Sequence, residues 1–240
     1  MKAFILSAGL GERLRSVTGE RPKVMVKIGG KPVLEYLVNL CKIHGINSII
    51  INLHYMPQEV VNYFGNGSKF GVSIAYSFEK EKIMGGAGAL KHAEKLIGKE
   101  SFTVLNGDVM TNINLSEMIA FHKQKGGIGT FLVHDTDHPQ DSDLVEFNES
   151  NLIKKFFRAA PDYTKKPISK TGTHIFESEI LKFIPSEIKY SLEYDLIPDL
   201  LRKNKKLYAF YNNDAYSRDM GTPERLNHVI NDYECGKINF

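Results

Sequence analysis

Runs of apolar residues alternate with amphipathic segments along the first half of the chain. The apolar runs are short and several are rich in β-branched residues, which is typical of buried strands. The intervening segments repeat apolar residues every three or four positions, which predicts helices. The strands are predicted over residues 3–7, 48–53, 72–76 and 102–105, and the helices over residues 32–44, 58–64 and 88–97. Because strands and helices alternate, we expect a doubly wound α/β fold with a mostly parallel (mixed) sheet.

The second half of the chain has a less regular pattern. It predicts strands over residues 130–134, 171–176 and 207–211, a hairpin of 144–147 with 152–157, and helices over 177–183, 192–203 and 223–233. No linker, repeat or low-complexity tract interrupts the pattern. We therefore expect residues 1–240 to form one domain.

Composition and charge exclude several classes of protein. The formal charge is +3, and 31 basic residues are scattered among 28 acidic ones, so we expect no nucleic-acid partner. Cys41 and Cys235 lie far apart, which indicates neither a disulfide framework nor a zinc site and fits a reducing compartment, the cytoplasm. The apolar first residues run into a glycine turn, which predicts a strand rather than a signal peptide. No apolar stretch approaches the ~20 residues that span a bilayer, so we expect no membrane partner.

The strongest candidate motif is the stretch LSAGLGERLR after the first predicted strand, followed by a Pro-Lys pair that ends at Lys23. Gly9 and Gly11 would let backbone N–H groups approach a polyphosphate closely. Arg13 supplies a planar fork for phosphate oxygens, and Lys23 supplies a mobile point charge. The two glycines alone are equally compatible with a tight structural turn. The stretch is not a Walker loop, and Leu14 replaces the third glycine of a dinucleotide-binding fingerprint.

A second glycine-rich stretch, MGGAGAL at residues 84–90, is preceded by Glu79. Glycines that open a helix expose N–H groups and leave room for a flat ring such as a nucleobase. Gly85 and Gly86 are the candidate contacts. A flexible loop at the start of a helix is the alternative interpretation.

Two aspartates lie next to predicted element ends. Asp108 follows Asn106 and a glycine at the end of a strand, and Asp219 precedes a Gly-Thr-Pro-Glu stretch. Carboxylates beyond the carboxyl ends of parallel strands face the ligand cleft and can hold Mg²⁺. The alternatives are an ordinary turn at Asp108 and a helix entry capped by Thr222. The helix entry leaves Asp219 free, so both interpretations of that stretch can hold.

Taken in order, these four motifs resemble those of the sugar-phosphate nucleotidyltransferases, a family that includes mannose-1-phosphate guanylyltransferases. The triplet Gly11-Glu12-Arg13 is also similar to that of N-acetylmuramate-1-phosphate uridylyltransferases. The resemblance implies a Rossmann-like fold with a nucleotide-binding half over residues 1–127 and a sugar-phosphate-binding half over 128–240. It also implies a nucleoside triphosphate and a sugar 1-phosphate as substrates, and Mg²⁺ as cofactor.

The resemblance further implies roles for individual residues. Arg13, Lys23 and Asp108 are the expected catalytic residues, and Asp108 and Asp219 are the expected Mg²⁺ ligands. Asn106 and Glu146 are expected to contact the sugar. Nucleotide binding is expected from residues of the glycine turn and the base loop, namely Ala8, Gly9, Gly11, Glu12, Arg13, Lys23, Gly85 and Gly86.

The acceptor side departs from the family pattern. The glycine usually found shortly before Glu146 is missing, and the Glu-Lys-Pro stretch of the family is replaced by RAAP at residues 158–161. Lys170 stands where the family often has an asparagine. Glu193 could reach the acceptor pocket, but we interpret it as a solvated carboxylate at the start of a helix. These departures leave the identity of the sugar open, more than they do the type of reaction.

The expected activity is therefore Mg²⁺-dependent formation of a nucleotide sugar and pyrophosphate, with GTP and a mannose- or heptose-type 1-phosphate favoured. UTP with an amino-sugar 1-phosphate such as N-acetylmuramate 1-phosphate is the alternative within this class. A paralogue that binds a nucleotide sugar without turnover is a second alternative, and a dinucleotide-dependent oxidoreductase is disfavoured by Leu14. The sequence leaves the oligomeric state open, a homo-oligomer included. Because the chain ends soon after the Asp219 stretch, we expect no C-terminal repeat domain and no acyltransferase activity.

Overall fold

The computed structural model describes residues 1–160 and 163–238, so Pro161 of the altered acceptor stretch lies outside the described residues. The strands, numbered along the chain, are β1 (Lys2–Leu6), β2 (Lys27–Ile28), β3 (Lys31–Pro32), β4 (Ser48–Leu53), β5 (Ser73–Phe78), β6 (Phe102–Asn106), β7 (Val109–Thr111), β8 (Gly129–Asp135), β9 (Asp143–Phe147), β10 (Ile153–Arg158), β11 (Ile168–Phe176), β12 (Leu207–Tyr211) and β13 (Ser217–Asp219). The α-helices are α1 (Arg15–Thr18), α2 (Val33–Ile43), α3 (Pro57–Phe64), α4 (Gly85–His92), α5 (Glu94–Ile97), α6 (Leu115–Lys125), α7 (Ile197–Arg202) and α8 (Pro223–Glu234). Short 3-10 helices cover Glu12–Leu14, Lys23–Met25, Ser68–Phe70, Pro139–Asp141 and Ser178–Phe183, and a π-helical turn covers Leu192–Leu196.

The central sheet runs in the order β10–β9–β11–β6–β1–β4–β5; in addition, β8 pairs with β11, and β12 pairs with β8. In its parallel part, Ala3 of β1 lies opposite Ile49 of β4 and Thr103 of β6, and β4 continues in parallel to β5. β11 runs antiparallel to β6 and joins the strands of the second half to this part. The sheet therefore spans both halves of the chain, and the predicted mixed, mostly parallel α/β architecture is confirmed.

Both faces of β1 are buried, because successive side chains of a strand point to opposite faces. Phe4 belongs to an apolar cluster that includes Leu90 of α4 and Leu200 of α7. Ile5 belongs to a cluster on the other face that includes Leu37 of α2. Helices on both faces explain why the parallel strands appear in the sequence as continuous apolar runs rather than as alternating patterns.

A third apolar cluster fixes the closing helix next to the glycine turn. It contains Leu14, Met110 of β7, and Leu226 and Val229 of α8. At this place β7 and β13 form a separate two-stranded antiparallel ladder. The ladder joins the segment that follows β6 to the segment that precedes α8.

Two predicted helices differ from the observed ones in their limits. The helix predicted over 88–97 begins earlier, at Gly85, and is divided into α4 and α5. The helix predicted over 192–203 begins as the π-helical turn and becomes α7 only at Ile197. Pro198 explains this break, because it has no amide hydrogen to donate to the carbonyl four residues earlier.

Candidate active site

The chain leaves β1 through a turn that closes around Lys23. Gly11 has a left-handed φ of 63° and is followed directly by a 3-10 helix. A methyl group built on Gly9 would lie 3.9 Å from Nζ of Lys23, so the turn and the lysine are in contact range. Ala8 is buried within the turn, and Glu12 is exposed. The predicted phosphate-binding turn therefore brings a cation and open backbone together.

Lys23 pairs with Asp108, which lies 85 positions later in the chain. Nζ of Lys23 is 2.5 Å from Oδ2 of Asp108, and the two side chains are 19% and 21% exposed. Gly107 permits this approach: its amide donates to the carbonyl oxygen of Leu6 at 2.8 Å, and a methyl group built on it would lie 2.8 Å from the same oxygen. The end of β6 is thus held tightly against the end of β1.

The two aspartates predicted to bind Mg²⁺ lie on neighbouring backbone segments. Asp219 is opposite Val109 in the β7–β13 ladder. The amide of Met220 donates to the carbonyl oxygen of Asp108 at 2.9 Å. Residues that are 111 positions apart in the sequence therefore meet at one place.

Two guanidinium groups lie near the carboxylate of Asp219. A methyl group built on Gly221 would lie 3.0 Å from Oδ1 of Asp219 and 2.9 Å from Nη2 of Arg13. Nη1 of Arg225 donates to both carboxylate oxygens of Asp219, at 3.0 and 2.9 Å. Sequence reasoning placed Arg13 here but missed Arg225, whose partner is identified only by the folded chain.

The donor set of this place fits Mg²⁺. This ion commonly binds one or two protein carboxylates together with waters and substrate phosphates. Asp108 and Asp219 supply two carboxylates, which here are paired with Lys23 and Arg225. Within residues 1–160 and 163–238, no group of three or more His, Cys, Asp or Glu side chains could hold a metal ion. A divalent ion bound here would complete its coordination with waters and with phosphate oxygens of the substrates.

The glycines of the predicted base loop (residues 84–90) leave space that the backbone of residues 188–190 fills, and not only space for a nucleobase ring. A methyl group built on Gly85 would lie 2.7 Å from the carbonyl oxygen of Tyr190. The amides of Ala87 and Gly88 donate to that same oxygen, at 3.1 and 3.0 Å. The expectation that N–H groups at this helix start are exposed is therefore wrong for these two residues, because the 188–190 segment packs against them. Gly86 is partly exposed.

A buried chain of hydrogen bonds connects the base loop to the glycine turn. The carboxylate of Glu79 accepts from the amide of Met84 at 2.7 Å and from the side-chain amide of Asn52 at 2.6 Å. The side-chain oxygen of Asn52 accepts from the amide of Ser7 at 2.6 Å. Sequence reasoning missed Asn52, although a lone polar residue within an apolar strand was a signal that could have found it.

A cavity of about 760 Å³ opens beside Asp219. Its walls include Asn106, the residue expected to contact the sugar, together with Lys170, Glu193 and Arg225. The cavity lies where the nucleotide-binding half meets the second half of the chain. It is large enough for a phosphorylated monosaccharide.

Lys170 and Glu193 form an ion pair in the wall of this cavity. Nζ of Lys170 is 2.9 Å from Oε1 of Glu193, and the side chains are 5% and 24% exposed. Burial opposes ionisation of Glu193, but the charge and hydrogen bond of Lys170 lower the pKa of its carboxyl group overall. The interpretation of Glu193 as a solvated carboxylate is therefore wrong, because it lies against a buried lysine.

Glu146 lies elsewhere. Its carboxylate is 3.2 Å from Nζ of Lys155 and 3.4 Å from Nζ of Lys165, and it is not among the residues that line the cavity. The β9–β10 pairing sets Glu146 opposite Lys155 and accounts for the ion pair. The expected sugar contact of Glu146 is thus not supported by its position, whereas Glu193 does line the cavity.

The fold and the site define a doubly wound α/β protein with a glycine turn after β1 and with two aspartates, Asp108 and Asp219, on adjacent backbone segments. The chain belongs to the nucleotidyl transferase family, whose sequence profile matches residues 2–235. This assignment agrees with the resemblance carried by the four motifs.

Relatives with curated names fall into more than one substrate class. The chain is 35% identical over 222 residues to a UTP–glucose-1-phosphate uridylyltransferase of Synechocystis sp., covering 87% of this chain and 57% of that protein. It is 32% identical over 230 residues to a mannose-1-phosphate guanyltransferase of Eremothecium gossypii, covering 93% of this chain and 62% of that protein. The chain therefore spans about three fifths of the length of these relatives.

A solved structure supports the same fold. A Bacillus anthracis protein assigned as a glucose-1-phosphate thymidylyltransferase superposes with a TM-score of 0.86 at 24% identity, covering 100% of this chain and 97% of that one. At this level of identity the similarity establishes the fold. In the described part of the chain, no helix has the length and apolar character needed to cross a membrane.

Proposed function

We propose that this protein transfers a nucleotidyl group from a nucleoside triphosphate to a sugar 1-phosphate, releasing pyrophosphate. The observation that carries the proposal is the meeting of Asp108 and Asp219 on adjacent backbone segments, with Lys23 on one carboxylate and Arg13 near the other. Family membership supports the same reaction class.

The proposed reaction is an in-line displacement at the α-phosphorus. A phosphate oxygen of the sugar 1-phosphate forms the new P–O bond, and the bond to the β-phosphate oxygen breaks with its electron pair leaving on pyrophosphate. The nucleophile already carries negative charge, so no general base is needed. The barrier arises from repulsion between two anions and from charge on the leaving group, which positioning and fixed cations reduce. Arg13 and Lys23 would bind and neutralise the triphosphate.

Asp108 and Asp219 are the residues that would hold Mg²⁺. When bound, the ion would supply additional neutralisation of phosphate charge. Both carboxylates are paired with cations in the structure, so Lys23 and Arg225 are available to bind phosphate once the carboxylates are taken.

For the substrates, we favour GTP with a mannose- or heptose-type 1-phosphate, and the mannose-1-phosphate guanyltransferase relatives support GTP with mannose 1-phosphate. UTP as the nucleotide is the second candidate, and the uridylyltransferase relative supports it. The free thiols of Cys41 and Cys235 support a reducing compartment such as the cytoplasm.

The test is pyrophosphate release measured with ATP, CTP, GTP and UTP against mannose, glucose and N-acetylmuramate 1-phosphates, each with and without Mg²⁺. We expect turnover with one preferred pair and only in the presence of the divalent ion. Asp108→Asn should abolish that turnover while the thermal unfolding transition remains cooperative. Binding of nucleotide sugar without any turnover would instead favour the non-catalytic paralogue, and an active Asp108→Asn protein would remove Asp108 from the site.

A further inference from the structure

Arg225, in the first turn of α8, joins two carboxylates from different parts of the chain. Its Nη1 atom binds both oxygens of Asp219, and its Nη2 atom contacts the carboxylate of Asp141. The side chain is 29% exposed and borders the cavity beside Asp219. Both terminal nitrogens of the guanidinium group therefore contact protein carboxylates at the place where the acceptor would enter.

The other charges of the cavity make this arginine unusual. Several carboxylates border the cavity, namely those of Asp135, Asp137, Asp141, Asp143 and Asp214. The other cations of the wall are Lys170, which is held by Glu193, and Arg218 and Lys237, which both lie beside Asp232 of α8. The carboxylates make the potential around an entering phosphate group negative, and Arg225, which contacts Asp219 itself, is placed to offset it once that carboxylate is taken up.

We propose that Arg225 is the residue that binds the phosphate of the acceptor, and that it exchanges Asp219 for this phosphate when a divalent ion takes the carboxylate. The inference rests on the proposed function of the site. A carboxylate and a phosphate present similar pairs of oxygens to the planar fork of arginine, so one can replace the other with little rearrangement of the side chain. Asp219 thus keeps Arg225 neutralised before the substrates bind.

The competing explanation is a purely structural clamp, in which Arg225 only ties α8 to the Pro139–Asp141 turn. The two explanations predict opposite changes in divalent-ion affinity when Arg225 is replaced. If Arg225 is exchanged, its removal frees Asp219 for the divalent ion and removes the phosphate contact. If Arg225 is a clamp, its removal loosens the site and weakens both kinds of binding.

The experiment compares Arg225→Met and Arg225→Lys with wild type. Acceptor affinity is measured by calorimetry with mannose 1-phosphate and glucose 1-phosphate in the presence of Mg²⁺, and divalent-ion affinity by Mn²⁺ titration without substrates. For the acceptor that wild type binds, we expect Arg225→Met to weaken affinity by about 10- to 100-fold, the usual effect of lost hydrogen bonds to a charged group. Arg225→Lys should lie between, because it keeps the charge and loses the fork. Mn²⁺ should bind Arg225→Met several-fold more tightly than wild type.

Arg218→Met is the matched control, since Arg218 also borders the cavity but has its Nε 3.9 Å from Asp232 of α8. It should leave the acceptor affinity within about twofold, as expected for a surface charge. Equal losses in the Arg218 and Arg225 variants would overturn the assignment, and so would weaker Mn²⁺ binding in Arg225→Met. If Arg225→Met does not fold, Arg225→Lys carries the test.

Failure of wild type to release pyrophosphate would count against the proposed function, whereas turnover with unchanged acceptor affinity in both Arg225 variants would count against Arg225 alone.

Discussion

Nζ of Lys23 lies 2.5 Å from Oδ2 of Asp108, so a cation held beside the glycine turn and an anion just after the end of β6 neutralise each other. In the proposed reaction the two charges have separate tasks, because Lys23 would neutralise the triphosphate and Asp108 would hold the divalent ion. The ion pair keeps both groups in place and half-buried before the substrates arrive.

Lys23→Met should lower kcat by about 10²- to 10³-fold, the range for loss of one donor that stabilises the transition state. It should also destabilise the fold by about 1–3 kcal/mol, because Asp108 loses its partner while partly buried. Steady-state kinetics and urea unfolding measure the two effects. Lys27→Met is the control, since Lys27 is exposed on β2. Full activity of Lys23→Met would show that this lysine has no part in the reaction.

The double variant Lys23→Met/Asp108→Asn separates the two effects. It should recover much of the lost stability, because neither charge is then left unpaired. It should not recover activity. Recovery of both would indicate that the pair acts only through the stability of the fold.

Gly9, which follows β1, and Gly107, which follows β6, should respond differently to substitution by alanine. The nearest atoms to a methyl group on Gly9 are Nζ and Cε of Lys23, at 3.9 and 4.0 Å, which is ordinary contact. Gly9→Ala should therefore leave unfolding within about 0.5 kcal/mol of wild type but raise the KM for the triphosphate severalfold, because the backbone can no longer approach the phosphates. A methyl group on Gly107 would lie 2.7 Å from Oγ of Ser7, so Gly107→Ala should cost about 1–3 kcal/mol of stability. Thermal unfolding and nucleotide titration distinguish the two variants, and equal destabilisation by both would contradict this account of the turn.

The parallel core of the fold could be predicted because its strands are buried on both faces. The strand predicted over residues 48–53 is observed as Ser48–Leu53, and that over 207–211 as Leu207–Tyr211. Helix α6 escaped prediction, although Asn114 caps it by accepting from the amide of Glu117. Part of its buried face is His122, a polar residue stabilised by Glu177 from another part of the chain, so the apolar periodicity is weak.

The candidate site could be predicted only where its residues lie in local motifs. Arg13, Lys23, Asp108 and Asp219 each lie next to a glycine- or proline-containing turn that marks them. The pairing of Lys170 with Glu193 depends on how β11 meets the segment before α7, and no local pattern reports it. For the same reason the sequence suggested the wrong environment for Glu193.

The Lys170–Glu193 pair should be coupled energetically. Lys170→Met should destabilise the protein by about 1–3 kcal/mol, because it leaves a largely buried carboxylate without its cation. Lys170→Met/Glu193→Gln should be more stable than the single variant, with a coupling of about 1–3 kcal/mol in a double-mutant cycle from urea unfolding. The exposed pair Lys155–Glu146 is the control and should show a coupling of about 0–1 kcal/mol. Equal coupling in the two cycles would contradict the burial argument.

His174 should make the stability of the fold depend on pH. It is fully buried in β11, with its ring centroid 5.0 Å from that of Phe131. Burial lowers the pKa of His174 well below 6.5, and the charge of Lys170 adds to this effect. His174 therefore remains neutral in the folded protein at a pH at which the same side chain takes up a proton in the unfolded chain. The contribution to stability is complete above about pH 6.5 and is lost as the pH falls towards the pKa of the folded state, by about 1.4 kcal/mol per pH unit.

Urea unfolding at pH 7.5, 6.5 and 5.5 measures this dependence. His174→Leu should lose less stability than wild type between pH 6.5 and 5.5, by about 1 kcal/mol, because it removes one group that is protonated only in the unfolded chain and that is already half protonated there at pH 6.5. Residual dependence should remain, since burial also lowers the pKa of His122 and of His134. His228→Gln removes an exposed histidine and should keep the wild-type dependence. If His174→Leu also kept the wild-type dependence of stability on pH, His174 would have to take up its proton in the folded protein as well. Burial would then not keep this side chain neutral.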